Sequence, residues 1–190
     1  MRVLTGNKEE RLAEQLRSGD SDAMREFYSL YGSHLAKVCA RYLANSEDMK
    51  DVFQNSLVRI FSHAKDFTYR GPGSLLAWAT RVTVNESLKF LQEWKRHELA
   101  QLTHDVPDEQ EENDPSVRDI PPEVFLQMVR ELPTGYRTVF NLYVFEEKSH
   151  QEIADLLGIK KDSSSSQLSR AKKLIAKKIK EYSKSKQNPR

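Results

Sequence analysis

The stretch from Ser149 to Tyr182, SHQEIADLLGIKKDSSSSQLSRAKKLIAKKIKEY, leaves this chain the least structural freedom. Ser149 and Glu152 have the spacing of a capping box, in which the hydroxyl accepts the backbone N–H three residues on and the carboxylate reaches back. A short helix is therefore expected from His150, with Ile153, Leu156 and Leu157 as its apolar stripe. Gly158 then supplies the residue that tolerates positive φ where a helix stops. Asp162 or Ser163 is expected to cap a second, longer helix. In that helix Leu168, Ala171, Ile175, Ile179 and Tyr182 recur at spacings of three and four, hence on one face. Ser163, Ser166, Gln167, Arg170, Lys173 and Lys177 point roughly the other way.

Between Lys160 and Arg190 there are eleven Lys or Arg against two acids, Asp162 and Glu181. Taken alone, a basic helix with an apolar stripe reads as a solvated surface helix, and a serine run as a flexible linker. A capping box, a glycine turn and a polar outer face in that order instead describe a helix-turn-helix. Hydroxyls, an amide and an arginine near the start of its second helix suit base edges, with lysines behind for phosphates. The candidate DNA contacts are Ser163, Ser165, Ser166, Gln167, Ser169, Arg170 and Lys173.

The net charge of +2 hides an uneven distribution. Residues 1–94 hold 13 basic and 12 acidic groups, 95–119 hold 3 and 8, and 120–190 hold 14 and 8, giving about +1, −5 and +6. The middle segment lacks helical periodicity and contains Pro107 and Pro115. It reads as a mobile acidic linker between two small helical domains, 1–94 and 120–190. The lone Cys39 excludes an internal disulfide or a cysteine-based zinc cluster within one chain, and its neighbours Val38 and Ala40 make it a buried small hydrophobe. No apolar run approaches the ~20 residues of a membrane helix. MRVLTGNKEER lacks the apolar core of a signal peptide, so a cytoplasmic protein is expected.

In the N-terminal part, residues 8–18 read as a helix with Leu12 and Leu16 inward, ended by Gly19. Asp20 or Ser21 should cap a second, striped by Ala23, Phe27, Leu30 and Tyr31. Gly32 is expected to break or bend it before Leu35, Val38, Cys39 and Tyr42. Ser46 begins a third helix with Met49, Phe53, Leu57 and Ile60 along one side. Asp51, Gln54, Asn55 and Val58 face out as a protein-docking face. Glu47, Asp48 and Asp51 lack the further ligand a metal would need, so neither metal nor cofactor is expected. No convergent nucleophile, base and metal set is visible either, which argues against an enzyme.

Residues 67–74, FTYRGPGS, must form a loop. It lacks the spacing and the lysine of a phosphate-binding loop. A long helix follows, with Leu75, Leu76, Ala79, Val82 and Leu88 mostly inward and Trp78, Arg81, Asn85 and Lys89 along one side. An aromatic, a cation and an amide beside Tyr69 and Arg70 have the makings of a site for an unstacked base. Spacing alone leaves open whether Trp78 is core and Arg81 an ordinary surface charge. Further on, Pro121 and Pro122 open a helix buried through Val124, Phe125, Met128, Val129 and Leu132. Residues 133–145 give another through Val139, Phe140, Leu142 and Tyr143.

From about residue 8 to 182 the chain resembles the extracytoplasmic-function sigma factors, small bacterial transcription initiation subunits. DVFQNSLVRIF, 51–61, is similar to the family's D-L-V-Q-E-x-F-x-R-x-W segment, keeping Asp51, Gln54 and Arg59, with Asn55 for the usual glutamate. The resemblance implies that Asp51, Gln54, Asn55, Val58 and Arg59 dock on the clamp helices of the polymerase largest subunit. FTYRGPGSLLAWATRVTVN, 67–85, is similar to an F-R-G loop followed by F-x-x-W-L-Y-R-I-A-x-N. It implies that Tyr69, Arg70, Gly71, Trp78, Arg81 and Asn85 bind the minus-ten element, with the loop and Asn85 holding a base flipped out of it.

SHQEIADLLGIKKDSSSSQLSRAK is similar to S-x-x-E-I-A-x-x-L-G-x-x-x-G-T-V-K-S-R-L-x-R-A-R, which reads the minus-thirty-five element. Asp162 replaces the glycine, Ser165 a basic residue and Gln167 an arginine. These changes imply an altered base preference, with Gln167 suited to adenine. The expectation is thus an all-α, non-enzymatic, two-domain factor with a region 2-like domain (1–94), an acidic linker (95–119) and a region 4-like helix-turn-helix domain (120–190). Its implied partners are core RNA polymerase, through the clamp of the largest subunit and the flap of the second-largest, promoter DNA and an anti-sigma factor. The alternative is a stand-alone helix-turn-helix regulator that binds duplex DNA without polymerase.

Overall fold

The structure, a computed structural model, describes residues 6–98 and 120–187. The elements among these residues are all helical, and the chain divides into two units, Met1–His97 and Glu98–Arg190. Most of the acidic stretch, from 99 to 119, lies outside the described residues, and with it the expectation of a tether.

In the first unit, α1 (Gly6–Arg17) stops before Gly19, whose φ of 78° glycine adopts at little steric cost. Asp20 caps α2 (Ser21–Tyr42) by accepting the backbone N–H groups of Asp22 and Ala23. A break at Gly32 is corrected: α2 runs through it as one helix. A glycine there costs roughly 1 kcal/mol relative to alanine. Burial of Phe27, Tyr31, Leu35 and Val38 on both sides of it holds the helix together. The vacant side-chain position also leaves room for the Tyr28 ring, 3.3 Å from where a Cβ would stand.

Asn45 caps α3 (Ser46–Ser62). Its buried line is Val52, Ser56 and Ile60, so the predicted line of Met49, Phe53, Leu57 and Ile60 is corrected by about one residue of helical phase. Phe53 and Leu57 are half-buried against the edge of the core. Ser56 escapes a purely apolar pattern because its hydroxyl donates to the Val52 carbonyl at 2.7 Å and needs no water. A short turn, Ala64–Asp66, leads through the loop to α4 (Ser74–Glu98). Phe27 centres the core, edge-on to Tyr31 at 5.2 Å and to Phe61 at 5.6 Å, the favoured geometry for aromatic pairs. Cys39 is fully buried, and burial pushes its thiol up to about 11, as befits an inert packing residue.

In the second unit, α5 (Pro122–Arg130) starts with proline at its first position. α6 (Thr134–Val144) is buried continuously from Tyr136 to Leu142, as a helix enclosed by its neighbours must be. Arg137 is part of that burial. Its guanidinium donates to the carbonyls of Arg130 and Leu132, at 2.7 and 3.1 Å, covering acceptors that the end of α5 leaves over. α7 (His150–Leu157) and α8 (Lys161–Gln187) complete the unit. Leu168, Ala171, Ile175 and Ile179 are buried as their spacing predicts.

The cap predicted at Asp162 or Ser163 is corrected: α8 begins at Lys161, with both residues inside its first turn. The Ser164 N–H already bonds the Lys160 carbonyl at 3.1 Å, closing that turn early. Asp162 still sits where the helix dipole favours an acid.

Candidate nucleic-acid interface

The helix-turn-helix is built as its residues dictate. Ser149 and Glu152 form the capping box, with the Ser149 N–H donating to Glu152 at 2.8 Å and the Glu152 N–H to the Ser149 hydroxyl at 3.3 Å. Gly158 stands at φ 63° after the last turn of α7. The Ser149 backbone N–H and hydroxyl hold the Glu152 carboxyl below its ordinary 4.5. A carboxyl whose folded pKa is depressed contributes stability above its unfolded value and loses it as pH falls through the folded one. Thermal melts of Glu152→Gln and the parent chain are therefore expected to differ at neutral pH and to converge below about pH 4.5. A gap that persists at acid pH would show the carboxylate to be idle.

The serine run divides by helical phase. Ser164 is buried and its hydroxyl lies 3.0 Å from Nδ1 of His150, tying the start of α8 to the start of α7. The His150 ring in turn stacks on Tyr143 of α6 at 4.8 Å. Ser165, Ser166, Ser169 and Arg170 are exposed, while Ser163 and Lys173 are half-buried. Gln167 is half-buried as well, its Oε1 only 3.1 Å from where a Cβ on Gly135 would stand, so the amide lies over the first turn of α6. Spacing could place Gln167 on the outer face but could not show this neighbour.

In the first unit a cavity of about 330 Å³ opens beside the glycine loop, lined by Asp66, Phe67, Thr68, Arg70, Ser74, Ala77, Trp78 and Arg81. That volume lies at the lower end of small-ligand sites. Trp78 is half-buried, its ring 5.0 Å from that of Phe67 at a tilt of 39°. The choice between core and surface for Trp78 thus resolves as both, with one face on Phe67 and the rest on the cavity. Arg70 and Arg81 are exposed on the same cavity. Tyr69, Gly71 and Asn85 are not among the lining residues, and Asn85 stands exposed one turn beyond Arg81 on α4. Asp66 and Thr68 line the cavity without having drawn notice in the sequence, since nothing periodic marks a residue before a loop.

The loop has an unexpected support. Gly71 and Gly73 adopt φ of 117° and 85°, conformations that side-chain-bearing residues rarely take. The Gly73 and Leu75 N–H groups donate to Glu9 of α1, at 2.6 and 2.8 Å. A signal for Glu9 was present: it stands at i to Leu12, Ala13 and Leu16 at i+3, i+4 and i+7, on the inward stripe.

Asp51, Gln54, Asn55, Val58 and Arg59 are all exposed on α3. Asp51, Gln54, Asn55 and Val58 form one stripe, with Val58 68% exposed despite its apolar side chain. Arg59 Nε meets the Glu86 carboxylate of α4 at 3.1 Å. Among the described residues no cluster of His, Cys, Asp and Glu could hold a metal, and no helix is long and apolar enough to cross a membrane.

A loop-flanked cavity with aromatic and arginine walls, an exposed stripe along α3 and a helix-turn-helix are features of a DNA-binding transcription protein. Sigma-70 region 2 matches residues 27–97 and sigma-70 region 4 matches residues 123–175. The chain is 25% identical over 182 residues to the ECF RNA polymerase sigma-E factor of Haemophilus influenzae, covering 88% of this chain and 93% of that one. It is 22% identical over 179 residues to the ECF RNA polymerase sigma factor SigW of Bacillus subtilis, covering 88% and 95%. Among solved structures it is similar to the sigma factor RpoE of Bartonella quintana, crystallised with the anti-sigma factor NepR. That likeness has a TM-score of 0.47 and 15% identity and covers 82% of this chain and 96% of that one. The chain belongs to the extracytoplasmic-function sigma factors, a family of non-catalytic transcription initiation factors. It is a promoter-specificity factor that works on core RNA polymerase.

Proposed function

We propose that the chain divides promoter recognition between its units and holds them on core polymerase through α3. In this reading residues 1–94 dock and open the minus-ten region, 95–119 form the linker, and 120–190 grip the minus-thirty-five major groove. The exposed stripe Asp51, Gln54, Asn55 and Val58, with Arg59 beside it, meets the clamp of the largest subunit. The second unit meets the flap of the second-largest. An anti-sigma factor that covers these faces would keep the protein idle in the cytoplasm.

One observation carries the reading: Trp78, Arg70 and Arg81 converge on one cavity beside a loop held open by two positive-φ glycines. An unstacked base can lie on the indole while the arginines take the adjoining phosphates, with stacking worth about 1–3 kcal/mol per base. The carboxylate of Asp66 on the same wall favours a base that offers an exocyclic amine. Tyr69, Gly71 and Asn85 then act at the cavity's rim. Run-off transcription with purified core enzyme and a library of upstream sequences tests the whole reading, and failure to start RNA synthesis on any template refutes it. A tight, specific promoter complex formed by the purified chain alone would favour the stand-alone regulator instead.

In the second unit Ser163, Ser165, Ser166, Gln167, Ser169, Arg170 and Lys173 are proposed to face the groove, with the exposed Arg170 as the principal base-reading group. Arg170→Ala is expected to cost about 1–3 kcal/mol at one or two minus-thirty-five positions. An equal loss on every sequence would reduce Arg170 to a phosphate contact.

A further inference from the structure

We propose that Glu9 is a positioning residue for promoter opening, its carboxylate setting the shape of the loop that receives the unstacked base. This rests on the reading of the cavity given above.

Glu9 is 1% exposed, an unusual place for a carboxylate unless its oxygens are bonded. Both oxygens are: Oε2 accepts from Gly73 and Oε1 from Leu75, at 2.6 and 2.8 Å, the short distances of charge-assisted bonds. The first N–H groups of a helix have no partner within it and ordinarily bond the side chain of the capping residue. Here Gly73 stands in that place before Ser74, and its φ of 85° admits no ordinary side chain without strain. The missing cap is supplied from α1, more than sixty residues earlier in the chain.

The same bonds fix the cavity wall. Within the loop the Arg70 N–H donates to the Ser74 hydroxyl at 3.2 Å, and the Ser74 N–H to the Gly71 carbonyl at 3.1 Å. Arg70 and Ser74 line the cavity. Movement of Gly73 away from Glu9 therefore moves both. Burial first, then the Glu9 and Glu26 carboxylates, pushes the nearby Tyr31 hydroxyl up to about 12. α1 has packing of its own besides Glu9, since Leu12, Ala13 and Leu16 are buried in the core. Glu9 also lies outside the region 2 match, which begins at residue 27. With Glu9, the minus-ten apparatus takes in a helix beyond that match.

The test uses holoenzyme reconstituted from core enzyme and the full chain carrying Glu9→Ala, Glu9→Gln or, as control, Trp78→Ala. The probe is single-stranded DNA carrying the minus-ten segment of a promoter found by run-off selection, with each base varied in turn. Glu9→Ala is expected to weaken probe binding about tenfold and to flatten base discrimination at the captured position, as loss of two charge-assisted bonds allows. Glu9→Gln, which keeps one acceptor and the side-chain volume, should fall between, and core affinity should not change for any of the three. Undiminished binding and discrimination by Glu9→Ala, with loss in Trp78→Ala, would overturn the role of Glu9 and leave the proposed function standing. No loss in Trp78→Ala would instead sink the cavity reading itself. Parallel loss of core affinity and thermal stability in both Glu9 variants would make the residue a fold support only, and so also overturn the proposal.

Discussion

Asp51→Arg is expected to weaken association with core polymerase about a hundredfold, as a juxtaposition of like charges costing a few kcal/mol would. The physical basis is the separation of duties along α3. Val52, Ser56 and Ile60 are buried and hold the helix in its unit. Asp51, Gln54, Asn55 and Val58 are exposed and contribute nothing to that packing. An arginine at 51 can therefore reverse the charge of the face without unfolding it. Val58 supplies the apolar part, an uncovered side chain whose burial on a partner is worth about 1.5 kcal/mol or more. Arg59 is partly committed to Glu86, which leaves Asp51 as the better lever. Native gel shift or co-migration of labelled protein with limiting core enzyme measures the effect. If the variant assembles as readily as the parent chain, α3 is not the docking face.

Trp78→Ala is expected to lower promoter opening by roughly tenfold to a hundredfold, the loss of one base-stacking platform. Opening is read by permanganate reactivity of minus-ten thymines in the reconstituted holoenzyme. Because the indole also lies against Phe67, part of any loss could come from loosening of that aromatic pair, worth about 0.5–1.5 kcal/mol. Trp78→Phe separates the contributions: a smaller aromatic keeps the contact with Phe67 and part of the platform. Opening should then recover partly, with core binding constant throughout. Normal permanganate reactivity in Trp78→Ala would remove the cavity from the opening step.

How far the sequence could be read depended on the range of the interactions involved. The helix-turn-helix was legible because each of its signals is local: a hydroxyl and a carboxylate three residues apart, a glycine after the apolar stripe, and side chains recurring at three and four. The structure returns the capping box, the turn at Gly158 and the buried line from Leu168 to Ile179. Legibility failed where a residue's environment comes from another helix. Ser164 is absent from the outward set, yet nothing local shows that His150 holds its hydroxyl in a buried place. Gln167 reads as an outward amide, but its neighbour Gly135, more than thirty residues earlier, is invisible to spacing. The phase of α3 was misjudged because a satisfied hydroxyl at Ser56 passes for an outward residue when only apolar side chains are counted.

The candidate site followed the same division. Trp78, Arg81 and Asn85 could be placed on one side of a helix by spacing, but spacing does not say which of them share a cavity. The fold brings Trp78 and Arg81 together with Arg70 and Asp66, while Asn85, a turn further along α4, is not among the residues lining the cavity. By itself the sequence determined the helical elements, the capping box at Ser149, the turn at Gly158, the charge asymmetry and the family, since propensity, periodicity and motif are properties of neighbouring residues. Only the tertiary structure decided what covers Glu9, Ser164 and Gln167 and what lines the cavity. Those facts rest on hydrogen bonds and contacts between residues far apart in the chain, which exist only once the helices have packed.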